Sequence, residues 1–316
     1  MSEPATAIEV DEVREVGELV PTNSAGHGEP AIQTRGLTKR YGALFAVRDL
    51  NLDVPRGAVF GLIGPNGAGK TTTMSMLASL LKPTAGSALV AGRDPITQPR
   101  AVREKVGYMP DVLGVYDNLR VDEYLEFFAG AYKVPKASWP ALVGSLLELV
   151  DLTPKRTAMV NELSRGMKQR LSLARALVHD PEVLILDEPA SGLDPRARID
   201  LRALIAELQT MGKTILVSSH ILPELQEICT DIAIVEAGIL LAAGAPRTIL
   251  EQLGHGRTVS VRLAGGEERT YTVADDAEQA ALLRRLVDEG EPVVEFTQSG
   301  DGLEELFLAI TKGVVQ

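Results

Sequence analysis

One stretch decides the fold of this 316-residue chain: Gly64-Pro65-Asn66-Gly67-Ala68-Gly69-Lys70-Thr71. It matches the phosphate-binding pattern Gly-x4-Gly-Lys-[Ser/Thr]. Glycines let successive backbone N–H groups converge on phosphate oxygens, because no Cβ atom stands in the way. Lys70 supplies a cation for the β- and γ-phosphates, and the Thr71 hydroxyl is a ligand for Mg²⁺. The stretch therefore predicts a site for a nucleoside triphosphate.

The residues around this loop predict a strand before it and a helix after it. The preceding run, Val59-Phe60-Gly61-Leu62-Ile63, is apolar as in a buried strand, and apolar residues recur at helical spacing from Thr72 to Leu81. The N-terminus of such a helix adds its positive end to a phosphate site. The bare pattern would arise by accident in about one chain in a hundred. Its context makes that alternative minor.

Composition bounds the class of protein. With 45% hydrophobic and 24% charged residues, the chain can bury one large core and a small second one. The net charge of −11 argues against sequence-independent binding to nucleic acid. The single cysteine, Cys229, excludes an internal disulfide and suits a reducing compartment. The longest weakly polar stretch, Ile232 to Ala245, is broken by Glu236 and is too short to span a bilayer. Any membrane role must therefore come through a partner.

The sequence texture divides the chain into segments. We expect residues 1–29 to be a mostly disordered acidic tail and linker, because Pro21 to Pro30 is rich in turn-forming residues. The alternation of Leu50, Leu52 and Val54 with polar residues predicts a half-buried antiparallel strand, part of a β arm. A helical insertion is predicted at about 112–180.

Two apolar runs, Val183–Leu186 and Thr214–Val217, flank a helix-like segment, Ala197 to Met211. This order predicts parallel strands covered on both faces, the signature of an α/β sheet. After Gly254 the pattern changes to alternating short strands and helices. We therefore expect a small C-terminal α+β domain over residues 255–316.

Two carboxylates, Asp187 and Glu188, follow a buried strand. The carboxyl ends of parallel strands form the edge that faces ligands in open α/β sheets. Asp187 would hold Mg²⁺ through its water shell. Glu188 would orient and polarise the attacking water, a general-base role worth about 10² to 10⁴ in rate. The alternative for the pair is a solvated turn or a helix cap.

A strong helix is predicted to begin at Leu163-Ser164-Arg165-Gly166-Met167-Lys168-Gln169-Arg170. Ser164 is expected to be its N-cap, and Leu171, Ala174 and Leu177 lie on one apolar stripe. Taken alone, a Ser-x-Gly segment of this kind is more often only a capped core helix. Its place just before the carboxylate strand favours a functional interpretation.

With these motifs in this order, the chain resembles the ATP-binding subunits of ABC transporters over about residues 31–254. The resemblance is carried by the phosphate loop, the Leu-Ser-x-Gly signature, the strand ending at Glu188, Ser191-Gly192-Leu193-Asp194, and His220 after a strand. It implies a P-loop NTPase sheet within the α/β class, with ATP and Mg²⁺ as cofactors.

The resemblance also assigns roles to single residues. Tyr41 would stack on adenine, although it could be an ordinary surface tyrosine. His220 would reach the γ-phosphate within its own subunit, although a lone histidine is more often a local cap. The helix N-terminus at the signature would approach ATP held by a partner subunit, so that two chains close over two nucleotides.

The expected catalytic residues are Glu188 and His220. The expected metal ligands are Thr71, Asp111 and Asp187. The expected nucleotide-binding residues are Tyr41, Gly64, Pro65, Asn66, Gly67, Ala68, Gly69, Lys70, Thr71, Thr72, Ser164 and Gly166.

Three positions depart from the commonest family pattern. Arg165 stands in place of a glycine, Met167 in place of a glutamine, and Asp111 in place of a glutamine. An aspartate can still meet Mg²⁺ or water, but it is shorter than glutamine and adds negative charge near the phosphates. The effect of these three residues on turnover is left open by the sequence.

The expected function is ATP hydrolysis by a dimer, with a second ATP-binding subunit, that drives a separate transmembrane permease at the cytoplasmic face of the membrane. The segment Gly302–Ile310 resembles the end of the small appended domain of bacterial exporter-type ATPases, although it could be a generic amphipathic helix that completes the fold. Together with the signature sequence and the acidic residue at 111, this resemblance favours export over import. No nucleic acid partner is expected. A soluble switch acting on ribosomes or DNA is disfavoured, because there is a single phosphate loop and no heptad insertion. A sensor that binds without hydrolysis would require the loss of Glu188 or Lys70.

Overall fold

The structure is a computed structural model that describes residues 29–112, 114, 118–221, 225, 228–246, 248–249 and 257–298. The acidic tail up to residue 28, the C-terminal segment Gly302–Ile310 and the predicted boundary at residues 254 and 255 lie outside these residues. The chain divides into two compact units, with the division between Ala243 and Gly244.

The larger unit contains most of the secondary structure. In chain order its elements are β1 (Ile32–Tyr41), β2 (Leu44–Val54), β3 (Val59–Ile63), α1 (Lys70–Leu77), β4 (Ala85–Val90), α2 (Pro99–Arg103), β5 (Val106–Met109), α3 (Val121–Ala131), α4 (Trp139–Leu149), α5 (Arg165–Leu177), β6 (Val183–Leu186), α6 (Pro195–Thr210), β7 (Thr214–Ser219), β8 (Asp231–Glu236) and β9 (Ile239–Gly244). Short 3₁₀ helices lie at Lys136–Ser138, Thr153–Lys155 and Val160–Glu162.

A six-stranded sheet has the order β5-β6-β7-β3-β8-β9. Strand β3 is parallel to β7 and β8, and β6 is parallel to β5 and β7. Every residue of β3, β6 and β7 is buried, as their continuous apolar runs predict. The register pairs Ile63 with Ser219 and Leu186 with Val217, so these strands end at the same edge of the sheet.

A three-stranded antiparallel sheet, in the order β2-β1-β4, forms the predicted β arm. Leu50, Leu52 and Val54 of β2 are buried, which confirms the predicted alternation. These side chains share one core with Leu62 of β3 and Met74 of α1. The phosphate loop therefore begins and ends in elements that the same core holds in place.

Helix α1 is the clearest difference from the prediction. It spans Lys70–Leu77 rather than Thr72 to Leu81. Ser79 adopts a positive φ of 59°, the left-handed conformation that commonly ends a helix. Leu80 therefore lies beyond the helix and is 59% exposed, instead of continuing its apolar stripe.

Helices α3, α4 and α5 lie between β5 and β6 in the chain, within the predicted helical insertion. Tyr124 and Leu125 of α3 are fully buried. The stripe of α5 is also buried, at Leu171, Ala174 and Leu177. Within the described residues, no helix combines the length and the apolar content that crossing a bilayer requires.

The smaller unit contains a second antiparallel sheet, in the order β11-β10-β12. Its elements are β10 (Arg257–Leu263), β11 (Glu268–Val273), α7 (Asp276–Asp288) and β12 (Val293–Gln298). Its small core consists of Val259, Val261, Leu263, Val273, Leu282 and Leu286. The described part of this segment thus carries the strands and the first helix that the sequence predicts.

Candidate active site

The phosphate loop connects β3 to α1 and packs closely on one side. A Cβ atom on Gly64 would lie 2.2 Å from the backbone oxygen of Val235 in β8, so only glycine fits there. A Cβ atom on Gly67 would meet nothing within 4 Å, and both Gly67 and Asn66 are exposed. The loop is therefore fixed against the sheet at its start and open to solvent at its middle.

Lys70 is held at the centre of the site. Its Nζ atom donates hydrogen bonds to the backbone oxygens of Gly64, at 2.7 Å, and Pro65, at 3.2 Å. The same Nζ lies 3.3 Å from Oε1 of Glu188. Since Lys70 is only 5% exposed, this ion pair is shielded from solvent. The structure thus brings together the two residues that the sequence predicts to bind and to cleave the triphosphate.

Asp187 is completely buried at the end of β6. Its Oδ1 atom accepts a hydrogen bond of 2.7 Å from the Ser218 hydroxyl, which in turn accepts one of 2.9 Å from the backbone N–H of Glu188. Burial raises the pKa of the Asp187 carboxyl, against the opposing effect of the Ser218 and Thr71 hydroxyls. Asp187 is therefore not part of a solvated turn, the alternative that its sequence position leaves open.

Glu188 leaves the strand through an unusual backbone conformation. Its φ angle is 48°, in the left-handed region that costs a residue with a side chain about 1–2 kcal/mol. Its Oε2 atom lies 2.8 Å from Nδ1 of His220, which donates to the carboxylate. His220 thus contacts the predicted catalytic carboxylate rather than capping its own segment. One carboxylate faces both Lys70 and His220.

The oxygen atoms near Asp187 suit a hard divalent cation. Its Oδ2 atom is buried and has no hydrogen-bond partner in the described residues. Mg²⁺ is commonly held by one or two carboxylates, with substrate phosphates and waters as its other ligands. No group of three or more His, Cys, Asp and Glu side chains in the described residues could hold a metal by itself. Asp187 and Thr71 therefore fit a cation that arrives with a nucleotide.

Two other predicted residues lie at the margin of this site. Asp111 follows β5, is exposed, and acts on the buried Asp187 carboxyl by charge repulsion. Tyr41 ends β1 with half of its surface exposed, and the Lys39 ammonium lies 5.0 Å from its ring centroid. The following strand, β2, runs beside the phosphate loop, because a Cβ atom on Gly69 would lie 2.4 Å from the backbone oxygen of Ala46.

The signature segment lies apart from the phosphate loop of its own chain. Ser164 caps α5 as predicted, since its Oγ atom accepts a 3.3 Å hydrogen bond from the backbone N–H of Met167. Ser164 is exposed, and no hydrogen bond joins it to the phosphate loop in the described residues. The nearest atom to a Cβ on Gly166 would be Leu193 Cδ2, at 3.5 Å. The structure does not bring Ser164 or Gly166 to Lys70.

Sequence reasoning missed Ser218, the hydroxyl that joins Asp187 to Glu188. The available signal was a serine at the end of an otherwise apolar buried strand, since a buried hydroxyl requires a hydrogen-bond partner. It also missed a contact between Arg165 and the segment after Glu188, where the Arg165 Nη2 atom donates a 3.2 Å hydrogen bond to Ser191 Oγ.

The chain is similar in sequence and in fold to known proteins of one family. The model of the family described as ABC transporter matches residues 47–191. Nod factor export ATP-binding protein I of Burkholderia orbicola (strain AU 1054) is 42% identical over 220 residues, which cover 70% of this chain and 72% of that protein. A protein of the same name from Burkholderia thailandensis is 36% identical over 293 residues, covering 89% of this chain and 96% of its own. A solved structure of an ATP binding subunit of an ABC transporter matches with a TM-score of 0.66 and 31% identity, over 71% of this chain and 93% of its own.

Proposed function

This chain belongs to the ABC transporter family of ATP-binding subunits, and we propose that Lys70, Glu188 and His220 form one half of an ATPase site that a second subunit completes. One observation carries the proposal: a single carboxylate, that of Glu188, lies within reach of both the Lys70 ammonium and the His220 ring. Lys70 is suited to bind phosphate, and His220 is suited to orient the Glu188 carboxylate.

Phosphoryl transfer needs positioning and charge stabilisation more than covalent chemistry from the protein. Lys70 supplies a cation for the β- and γ-phosphates. Glu188 accepts the hydrogen bond of the attacking water and takes up its proton as the water attacks. His220 holds the Glu188 carboxylate through Oε2, which fixes the direction of that acceptor. The left-handed backbone of Glu188 turns its carboxylate out of the buried strand toward the phosphate edge.

The proposed Mg²⁺ ligands are Thr71, Asp187 and Asp111. Asp187 is supported by its buried Oδ2 atom, which has no hydrogen-bond partner among the described residues. When bound, the cation neutralises charge on the β- and γ-phosphates. The Ser218 hydroxyl fixes the Asp187 carboxylate through the other oxygen, Oδ1, and leaves Oδ2 free for this role.

The second half of the site is proposed to be the signature segment of another ATP-binding subunit, identical or related. The similar solved structures include a part of an ABC transporter complex and a dimeric ABC transporter cassette. In this chain Ser164 is exposed at the N-terminus of α5, where a helix attracts anions. We assign Ser164 and Gly166 to the γ-phosphate of ATP on the partner's loop, and Tyr41 to the adenine of the chain's own nucleotide.

Export is the proposed direction of transport, because relatives that match most of this chain are named for export. The proposed location is the cytoplasmic face of the membrane, on the permease. Co-purification of the tagged chain with a protein of several membrane spans, from membranes of its native host, is the expected result. Recovery only in the soluble fraction would contradict the permease assignment.

The catalytic assignment is tested by Glu188→Gln, with Glu182→Gln as the matched control. Glu182 precedes the same strand, but it is about half exposed and pairs with Lys105. Loss of the general base should lower ATP turnover by about 10² to 10⁴, with ATP binding retained. ATP should then trap the variant as a dimer, visible by size-exclusion chromatography. Turnover at the parent rate would overturn the assignment.

A further inference from the structure

The guanidinium of Arg165, in the signature segment, packs against Gly192 in the segment that follows Glu188. We define the Glu188 loop as residues 188–194. A Cβ atom added to Gly192 would lie 2.3 Å from Cζ of Arg165, and 2.5 and 2.6 Å from its Nε and Nη1 atoms. The guanidinium therefore occupies the space that a side chain at this position would need. The φ angle of Gly192 is 68°, which further favours glycine.

Two hydrogen bonds connect this contact to the backbone of Glu188, the residue that carries the catalytic carboxylate. Arg165 Nη2 donates to Ser191 Oγ at 3.2 Å, and the backbone N–H of Ser191 donates to the backbone oxygen of Glu188 at 3.0 Å. A second backbone hydrogen bond, from Leu193 to Ala190 at 3.2 Å, closes the loop. The buried Leu193 side chain anchors its end beside Gly166.

The position of Arg165 requires an explanation, because cations are disfavoured in the first turn of a helix. Arg165 is the first residue of α5. Its planar guanidinium can pack flat on backbone and donate from several N–H groups, which a lysine ammonium cannot do. Contact with Ser191 and Gly192 offsets the unfavourable placement, and it directs the charge away from the exposed Ser164.

We propose that Arg165 is a positioning residue that holds the signature segment and the Glu188 loop in one arrangement. This inference rests on the proposed function, in which Ser164 serves the partner's nucleotide and Glu188 serves the chain's own. Arg165 then makes the geometry of one ATP site depend on that of the other, because the two segments move as one body. In this role Arg165 acts through Ser191 and Gly192 rather than by contact with a nucleotide.

A double-mutant cycle on the full chain tests this inference. Arg165→Ala removes the contact directly, and Gly192→Ala displaces the guanidinium with a methyl group. Each should lower kcat about five- to tenfold, as expected for the loss of one hydrogen bond and its packing. The double variant should be no slower than either single variant, because both changes break the same contact. The affinity for ATP and the melting temperature should stay close to those of the parent.

Two further variants separate positioning from strain and charge. Gly212→Ala carries similar backbone strain, with φ 84°, but a Cβ atom there meets nothing within 4 Å, so its kcat should equal that of the parent. Arg165→Lys keeps the charge without the planar group, so its kcat should fall close to that of Arg165→Ala.

Three results would overturn the inference: multiplied effects in the double variant, full activity of Arg165→Lys, or a raised KM for ATP with unchanged kcat. The last would place the guanidinium on the nucleotide. These results are distinct from failure of the proposed function, which Glu188→Gln reports. If Glu188→Gln is inactive while the cycle is multiplicative, only the role of Arg165 fails.

Discussion

Two helix N-termini in this molecule use the same attraction for anions but differ in what surrounds them. At the start of α1, Lys70 is 5% exposed and contacts loop carbonyls and Glu188. At the start of α5, Ser164 is exposed and its hydrogen bond stays within its own first turn. The first terminus is completed by its own chain, and the second is the one that we assign to a partner. The two helix N-termini therefore differ in their exposure to solvent, although both belong to recognisable sequence motifs.

Replacing Lys70 should have the largest effect, because it removes the cation around which the α1 site is built. Lys70→Ala should lower ATP turnover by roughly 10² to 10³ or more and should weaken ATP binding as well. Turnover and equilibrium binding of a fluorescent ATP analogue measure the two effects. Lys155→Ala, an exposed lysine in a 3₁₀ helix, is the control and should behave as the parent does. If Lys70→Ala retained its affinity for ATP, the N-terminus of α1 would not be the anion site that the comparison assumes.

Replacing Ser164 should lower turnover without loss of ATP binding, because it alters only the half of the site that a partner's nucleotide meets. Ser164→Glu places a negative charge against the partner's γ-phosphate and should lower turnover by about a hundredfold. Mixing Ser164→Glu chains with Lys70→Ala chains should restore about a quarter of the parent rate, because half of the dimers are hybrids with one intact site.

Mixing Lys70→Ala with the parent chain calibrates that experiment, since those hybrids also contain one intact site. Random pairing leaves a quarter of the dimers in this mixture as parent homodimers, so active hybrids should raise its rate to about half that of the parent. If it reaches that rate and the two variants together stay inactive, Ser164 acts within its own chain. The assignment of the α5 N-terminus to a partner's nucleotide would then be wrong.

Tyr41 should have a smaller effect, confined to the base of the nucleotide. A stacked base contributes about 1–3 kcal/mol, so Tyr41→Ala should weaken ATP binding by roughly 5- to 150-fold. Tyr41→Phe keeps the ring and should bind as the parent does. Inorganic tripolyphosphate, which lacks a base, should bind the parent and Tyr41→Ala equally. Titration calorimetry measures all three, and equal loss for ATP and tripolyphosphate would place Tyr41 elsewhere in the site.

The smallest expected effect is on stability, at Asp187. Burial raises the pKa of this carboxyl above its unfolded value, so the folded protein holds the proton more tightly. The contribution of Asp187 to the free energy of unfolding is therefore greatest in acid and falls as pH rises through the unfolded and then the folded pKa. Asp187→Asn should melt about 2–4 °C higher at neutral pH, for a gain of about 1 kcal/mol, while losing ATP turnover.

The advantage of Asp187→Asn should shrink in acid, where the parent carboxyl is protonated. Glu104→Gln, at an exposed glutamate that follows α2, is the control for the loss of one negative charge. A melting temperature that falls in Asp187→Asn at neutral pH would show that the carboxylate stabilises the site instead.

The sequence could predict that Lys70, Glu188 and His220 lie close together, because each follows the end of a strand in one parallel sheet. Continuous apolar runs place Glu188 and His220 at one sheet edge with Lys70, whatever the length of chain between them. The end of α1 was missed, because periodicity carries no information on the left-handed turn at Ser79. The contacts of Ser218 and Arg165 were missed for another reason. Each joins segments about 26 to 31 residues apart, and a side chain's type does not specify its tertiary partner.

The close approach of Gly64 to β8 changes how a scan of all substitutions in the phosphate loop should be read. Intolerance at Gly64 would report that a side chain collides with Val235, even in a protein that never met a nucleotide. At Gly67 there is room, and its φ of 85° is one that asparagine accepts. If Gly67→Asn folds normally but no longer binds ATP, Gly67 is required for phosphate binding and not for folding. The two glycines of one motif would then be required for different reasons. Gly64 would be needed for packing against the sheet, and Gly67 for binding phosphate.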